Sequence, residues 1–230
     1  FHYREFLDRK RNYVDVFMYP EDRVEASNAI ANVSVDDDLV SRLAHFSAEL
    51  MGCDMAGNTS DTKLKSNAMY IAPGSLCEQC EHYSVDTNIC SSTENGLSTR
   101  ALQSILQITK GLAGWRGNSY ADETDLMHSI SYSTWFKLKP TRTAFSDGRE
   151  QNDRVSWVDS MYKRSMHTFE EICLGYPEYG QITAAIGKGG SIQGNFSEHI
   201  EKIKAIDSLA KYPLLSALRH RNYDNKGTED

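Results

Sequence analysis

A stripe of apolar residues at helical spacing constrains this chain more than any other feature. Apolar side chains recur every three or four residues at Leu97, Ala101, Ile105, Ile108 and Leu112. This spacing predicts an amphipathic helix over residues 97–112. Ser98 is placed to cap its first turn, and Gly111 and Gly114 are expected to end its last.

A second helical region is predicted before residue 53. Residues 1–52 are expected to be helical with an interruption at Pro20, because proline removes a backbone donor. The apolar residues Leu39, Leu43, Phe46 and Leu50 again share one face. An acidic start over residues 36–38 suits the positive pole of the helix dipole, and Gly52 is expected to end the helix.

Other segments show the patterns of strands. Ile130, Thr134 and Leu138 belong to a run that alternates between apolar and polar positions, which is the period of a half-buried strand. The predicted strands are residues 68–72, 83–89, 130–138, 155–162 and 181–186. A capped helix is predicted from Ser197 to Pro213, followed by a polar tail.

This element order predicts an α+β fold with a mainly antiparallel sheet, a long N-terminal helix and flanking helices. The expected organisation is one compact domain with three parts. These are an N-terminal helical segment (1–52), an α+β core (53–196), and a C-terminal helix and tail (197–230).

Composition narrows the class of protein. With 230 residues, of which 40% are hydrophobic, the chain can bury a substantial core. Its net charge of −7 and pI near 5.5 argue against nucleic acid as a partner. No apolar run is long enough to span a bilayer. The chain starts at Phe1 without Met and with a charged stretch, so a leader or membrane anchor is expected to have been removed.

The cysteines form the one cluster whose spacing suggests chemistry. Four of the five cysteines lie close together, with a histidine among them: Cys53, Cys77, Cys80, His82 and Cys90. Two thiolates two residues apart can bind zinc, but the second closely spaced ligand pair of a structural zinc site is missing. Disulfides and plain thiols are the alternatives. We expect at least one disulfide within this group and no other cofactor, with zinc as the alternative.

A ligand site is predicted around two of the strands. Aromatic faces and charged groups come close in sequence at Trp135, Arg154, Trp157, Asp159 and Tyr162. On neighbouring strands, Trp157 could wall a pocket while Arg154 meets the carboxylate of a small anionic or zwitterionic ligand. The alternative is that these residues are ordinary core and cross-strand pairs. No nucleophile elbow, acid–base pair or cofactor fingerprint is visible, which favours a domain without catalysis.

The pattern of elements resembles the extracytoplasmic PAS-like or Cache sensor domains of bacterial membrane receptors. The residues that carry the resemblance are the helical start from Phe1, the strands at 68–72 and 83–89 followed by Cys90-Ser-Ser92, and the late strand at 181–186. In that family an Arg, aromatic residues and a later Asp line the ligand pocket. The resemblance implies this role for Arg154, Trp157 and Asp159, although the family's adjacent aromatic pair is absent.

Three functions therefore remain open. The first is an extracytoplasmic domain that senses a small molecule for a membrane-bound receptor, located in the periplasm or outside the cell. Such a domain would contact the membrane only through flanking segments and could dimerise through its N-terminal helix. The second is a cytosolic enzyme with a cysteine-bound metal. The third is a secreted or surface interaction protein stapled by disulfides.

Overall fold

The computed structural model describes residues 20–53, 80, 89–141, 144, 153–181 and 183. Within these ranges the chain forms five α-helices and a short 3-10 turn at Ile89–Ser92. The helices are α1 (Pro20–Ala31), α2 (Asp37–Met51), α3 (Thr99–Trp115), α4 (Glu123–Thr134) and α5 (Arg154–Gly175). Of the described residues, 72% are helical and 4% are in strand conformation, and they form no sheet.

The helices pack around one apolar core. α3 and α4 form a hairpin, α4 and α2 both pack on α5, and α1 packs on α3. The largest fully enclosed core side chains come from α2, α3, α4, α5 and the segment after α5, and they include Phe46, Leu50, Ile105, Leu126, Ile130, Trp157, Tyr162 and Tyr179. This arrangement corrects the predicted α+β fold, because the described residues contain no sheet and build most of their core from helix faces.

Both helices that were predicted from apolar stripes are confirmed within the described residues. Asp36 accepts the N–H of Leu39 at 2.9 Å and caps α2, which ends at Gly52 as predicted. Ser98 caps α3 by accepting the N–H of Ala101 at 3.2 Å. The predicted end of α3 is wrong, since the helix continues through Gly111 and Gly114 to Trp115. Pro20 begins α1, and residues 1–19 lie outside the described ranges.

The predicted strand over residues 130–138 is wrong. Its first half is the end of α4, and a turn follows from Trp135. The buried face of α4 includes Ser129, Ser133 and Thr134, so its helical period is carried partly by hydroxyl residues rather than by apolar ones. Each hydroxyl donates to the carbonyl oxygen four residues earlier, which allows it to be buried inside a helix. An apolar count therefore misses this face.

The predicted strand over residues 155–162 is also wrong, because the whole segment lies in α5. The buried residues of α5 recur in pairs at helical spacing: Trp157 and Val158, Met161 and Tyr162, then Ser165 and Met166. Asp153 caps the helix by accepting the N–H of Ser156 at 3.0 Å. With two of its sheet strands replaced by helices, the proposed PAS-like or Cache fold is contradicted.

The remaining predicted elements lie mostly outside the described residues. This holds for residues 68–72, for 83–89 apart from Ile89, for 184–186 and for the helix from Ser197. Ile89 begins the 3-10 turn, so its assignment to a strand is wrong. Residues 181 and 183 are helical, so the start of the predicted strand over 181–186 is also wrong. The division of the chain at residues 52 and 196 stays a prediction.

Arg42 joins three helices at the edge of the core. From α2 its guanidinium reaches Asp38 at 2.7 Å, Glu123 of α4 at 3.3 Å and Glu170 of α5 at 3.4 Å. It also lies 5.4 Å from the centre of the Phe169 ring. One cation thus pairs with carboxylates from three helices, which holds α2, α4 and α5 in register.

Arg116 closes the α3–α4 hairpin. Its Nη2 lies 2.8 Å from Asp122 and 2.6 Å from Asp125, while these two aspartates form a reciprocal capping box at the start of α4. The hydrogen bond from Arg116, followed by the bond from the Asp125 N–H, holds the pKa of Asp122 below its ordinary value of 3.8.

We expect the stability of the protein to fall in acid partly through Asp122. A carboxyl whose pKa is lowered by folding stabilises the fold above its unfolded pKa, and this contribution is lost as the pH falls through the folded value. Asp122→Asn should therefore be less stable than wild type near neutral pH and lose less stability in acid. Urea denaturation from about pH 7 to about pH 3 measures this. Glu21→Gln on the exposed face of α1 is the charge control, and identical pH slopes for wild type and Asp122→Asn would contradict the expectation.

Candidate functional site

The residues predicted to bind a ligand are spread over different environments. Trp157 and Tyr162 are each 1% exposed in the core. Arg154 is exposed at the first residue of α5, and Asp159 is paired with Lys163 one turn later at 2.7 Å. The sheet that was to hold these residues is not present in the described part of the chain. Ligand binding by them stays a prediction.

Trp135, the fifth predicted ligand residue, is exposed in the turn after α4. The other two aromatic candidates, Trp157 and Tyr162 of α5, are instead enclosed in the core. A ligand in contact with Trp135 would be bound at the protein surface.

The predicted disulfide is contradicted within the described residues. Cys53, Cys80 and Cys90 do not lie at disulfide distance from one another or from Cys173. Cys77 and His82 are outside the described ranges. Among the described side chains, no three His, Cys, Asp or Glu residues are grouped closely enough to hold a metal ion.

A cluster of polar side chains lies inside the core between α2, α5 and the segment after α5. It consists of His45, Glu49, Ser165 and Tyr179, which are between 0% and 5% exposed. His45 Nδ1 lies 2.8 Å from the Tyr179 hydroxyl, and His45 Nε2 lies 3.5 Å from Glu49 Oε2. Ser165 donates its hydroxyl to the same carboxylate oxygen.

Burial keeps the phenol of Tyr179 protonated in this cluster. Desolvation raises the pKa of Tyr179 well above its ordinary value of 10, so the phenol stays protonated and can donate to His45 Nδ1. In the neutral imidazole the proton is then on Nε2, which faces the carboxylate of Glu49. The cluster thus contains two hydrogen bonds, Tyr179 with His45 and Ser165 with Glu49, while His45 Nε2 makes no hydrogen bond at its 3.5 Å separation from Glu49.

This arrangement suits a structural role better than catalysis. Ser165 donates to Glu49 rather than to His45, so the histidine is not placed to take the serine proton. The four side chains are enclosed, which keeps a substrate from reaching them. Ser41 adds a second tie to the same segment by donating to the carbonyl of Gly180.

An exposed aromatic surface lies at the end of α4. We call Tyr132, Trp135, Phe136 and Lys137 the Trp135 surface. The three rings are 65%, 39% and 58% exposed, respectively. The rings of Trp135 and Phe136 meet edge to face with centres 5.6 Å apart, and Lys137 Nζ lies 5.5 Å from the centre of the Phe136 ring.

Hydrogen bonds hold the backbone beneath this surface. Asn95 donates to the carbonyl of Lys137 at 2.9 Å and accepts the N–H of Lys139 at 2.7 Å. Glu94 donates its N–H to the carbonyl of Lys139 at 2.7 Å. Leu138, which is 1% exposed, anchors the turn in the core. The aromatic side chains are therefore presented by a backbone whose position is set.

Sequence reasoning found part of this site. Trp135 was singled out, but as a ligand contact on a strand, and Phe136 was assigned to the same strand. The buried cluster was missed. Its only local signal is the spacing of four residues between His45 and Glu49, which places both on one face of a helix.

Comparison of the chain with protein families, with curated protein sequences and with solved structures gives no match. Within the described ranges, no helix combines the length and the apolar character that a bilayer span requires. Function is therefore inferred from the buried polar cluster and the Trp135 surface.

Proposed function

We propose that this helical unit is a protein-binding module and that its partner docks on the Trp135 surface. The observation that carries the proposal is a pair of exposed rings in contact, Trp135 and Phe136, on a turn that the core and the loop before α3 hold in place, with Tyr132 exposed on the last turn of α4. Single exposed apolar residues are normal on a protein surface, whereas contiguous aromatic groups are typical of interaction sites.

The area available is large enough for binding. Aromatic side chains bury about 150–250 Å² each, so three rings at these exposures leave roughly 300 Å² of mostly apolar surface in water. At about 25 cal/mol per Å², covering this area contributes roughly 8 kcal/mol before the costs of association. Because hydrogen bonds fix the backbone beneath the rings, little conformational freedom is lost on binding, and the free-energy cost of association is lower.

The buried polar cluster supports the same function. Its hydrogen bonds connect α2, α5 and the segment after α5 inside the core, so the cluster stabilises the scaffold and does not meet a substrate. Three further statements stay predictions from the sequence. They are that the protein senses a small molecule, that it is attached to a membrane receptor and that it lies outside the cytoplasm.

The proposal predicts that loss of the rings removes binding and leaves the fold intact. Panning a displayed library of random short peptides on the wild-type protein should yield binders. Trp135→Ser combined with Phe136→Ser should weaken those binders by more than about tenfold, since aromatic anchors dominate interface energies. Because Trp135 is 39% and Phe136 is 58% exposed, the variant also loses buried apolar area and should be less stable than wild type, so circular dichroism under the binding conditions checks that it is folded.

Trp115→Ser is the matched control. Trp115 is 90% exposed at the end of α3, which is the opposite end of the α3–α4 hairpin from the Trp135 surface. This variant removes a comparable apolar side chain and should bind the selected peptides normally. If the library yields no peptide whose binding depends on Trp135 and Phe136, the proposed function is wrong.

A further inference from the structure

Lysine side chains accompany the exposed rings of the Trp135 surface. Lys137 lies over the Phe136 ring, with Nζ 5.5 Å from the ring centre. Lys139, which follows one residue after the buried Leu138, is 72% exposed and paired with Glu94 from the neighbouring loop. These three charged groups sum to about +1, so a positive spot adjoins the rings on a chain whose net charge is −7.

The position of Lys137 suits recognition of a carboxylate beside an apolar group. A lysine over an aromatic face keeps its ammonium exposed to a partner while its stem covers part of the ring. A carboxylate that approaches this ammonium gains a charge-assisted hydrogen bond, and an adjacent apolar side chain can contact Trp135 and Phe136.

We propose, resting on the function above, that the partner of the Trp135 surface is a protein segment that carries apolar side chains flanked by Asp or Glu. The charge distribution favours this occupant over an extended polyanion. At physiological salt a charge acts over about 8 Å, so a short acidic segment responds mainly to the local lysines. A nucleic acid or an anionic bilayer extends further and also meets the negative charge of the rest of the molecule.

The test compares peptides selected on two proteins that differ in one charge. A displayed library of random short peptides is panned on wild type and on Lys137→Glu. Peptides enriched on wild type should be rich in Asp and Glu next to Leu, Ile or Phe, and those enriched on Lys137→Glu should lose that bias. For a wild-type peptide, Lys137→Glu should weaken binding about tenfold, and added salt should weaken it as well.

Lys163→Glu is the matched control, because it makes the same change in net charge on the exposed side of α5 and should leave peptide binding unchanged. Peptides that depend on Trp135 but show no acidic bias would overturn this inference alone. The absence of any peptide that depends on Trp135 would overturn the proposed function.

Two further measurements exclude other occupants. Flotation with phosphatidylserine vesicles should show no binding that depends on Trp135, and sedimentation should show no dimer that is lost in Trp135→Ser. A positive result in the first would assign the surface to a membrane, and a positive result in the second would assign it to another copy of this chain. Either result would overturn the inference.

Discussion

Replacing Trp157 by Ala is expected to lower the free energy of unfolding by about 3–5 kcal/mol. The indole is 1% exposed, and its neighbours Val158 and Met161 are fully enclosed. Its removal loses the transfer free energy of the largest side chain in the core and leaves a cavity that the surrounding helices can fill only in part. Urea denaturation followed by circular dichroism measures the change in unfolding free energy.

Arg154→Ala is the control for this prediction. Arg154 lies one turn before Trp157 on the same helix and is exposed, so its loss should change stability by no more than about 0.5 kcal/mol. Comparing Trp157→Ala with Arg154→Ala also distinguishes a core role of Trp157 from a role in ligand binding. If Trp157→Ala keeps its stability and only loses the ability to bind a small molecule, the residue lines a ligand site and its assignment to the core is wrong.

Replacing His45 by Ala is expected to lower the free energy of unfolding by a similar amount, about 3–5 kcal/mol. The imidazole is fully enclosed and faces the hydroxyl of Tyr179 on one side and the carboxylate of Glu49 on the other. Its removal leaves the buried Tyr179 hydroxyl without its hydrogen bond, at a cost of about 1–3 kcal/mol, and leaves the Glu49 carboxylate without the imidazole 3.5 Å away. A cavity next to the Phe169 ring, whose centre is 5.3 Å from that of His45, adds to the loss.

Tyr179→Phe tests how much of the stability loss in His45→Ala comes from the hydrogen bond between these two residues. This variant keeps the ring and removes the hydroxyl that donates to His45, so it should cost about 1–3 kcal/mol. The double variant should cost less than the two single changes together, because both remove the same hydrogen bond. If the two effects add with no coupling, His45 and Tyr179 do not interact and the hydrogen bond between them is wrong.

The sequence was sufficient to predict two helices, and the reason is local. α2 and α3 each have an apolar stripe and an N-cap residue, Asp36 and Ser98. A helix face made of apolar side chains and a cap that binds the first turn are encoded within a few residues. The end of α2 at Gly52 was predicted as well, but the end of α3 was not, since glycine at 111 and 114 is tolerated where packing favours a longer helix.

The same reasoning failed for α4 and the start of α5. In α4 the buried face contains Ser129, Ser133 and Thr134, and their hydroxyls are satisfied by carbonyls of the same helix. A search for periodic apolar residues does not detect a helix face made of hydroxyl residues. The apolar residues that remain happen to alternate, which is the pattern of a strand. A short apolar run such as that around Trp157 also fits a strand or a helix until its packing partners are known.

The residues of the candidate site were likewise predicted only in part from the sequence. The sequence by itself determined the caps and apolar faces of α2 and α3 and marked Trp135 as a residue of interest, because these features depend on neighbours along the chain. Only the tertiary structure decided that Trp157 is core while Trp135 is exposed, since burial depends on which helix faces meet. It alone placed Tyr179 beside His45, 134 residues earlier. A contact over such a separation has no local pattern, because it exists only when the packing of α2 and α5 brings the two side chains together.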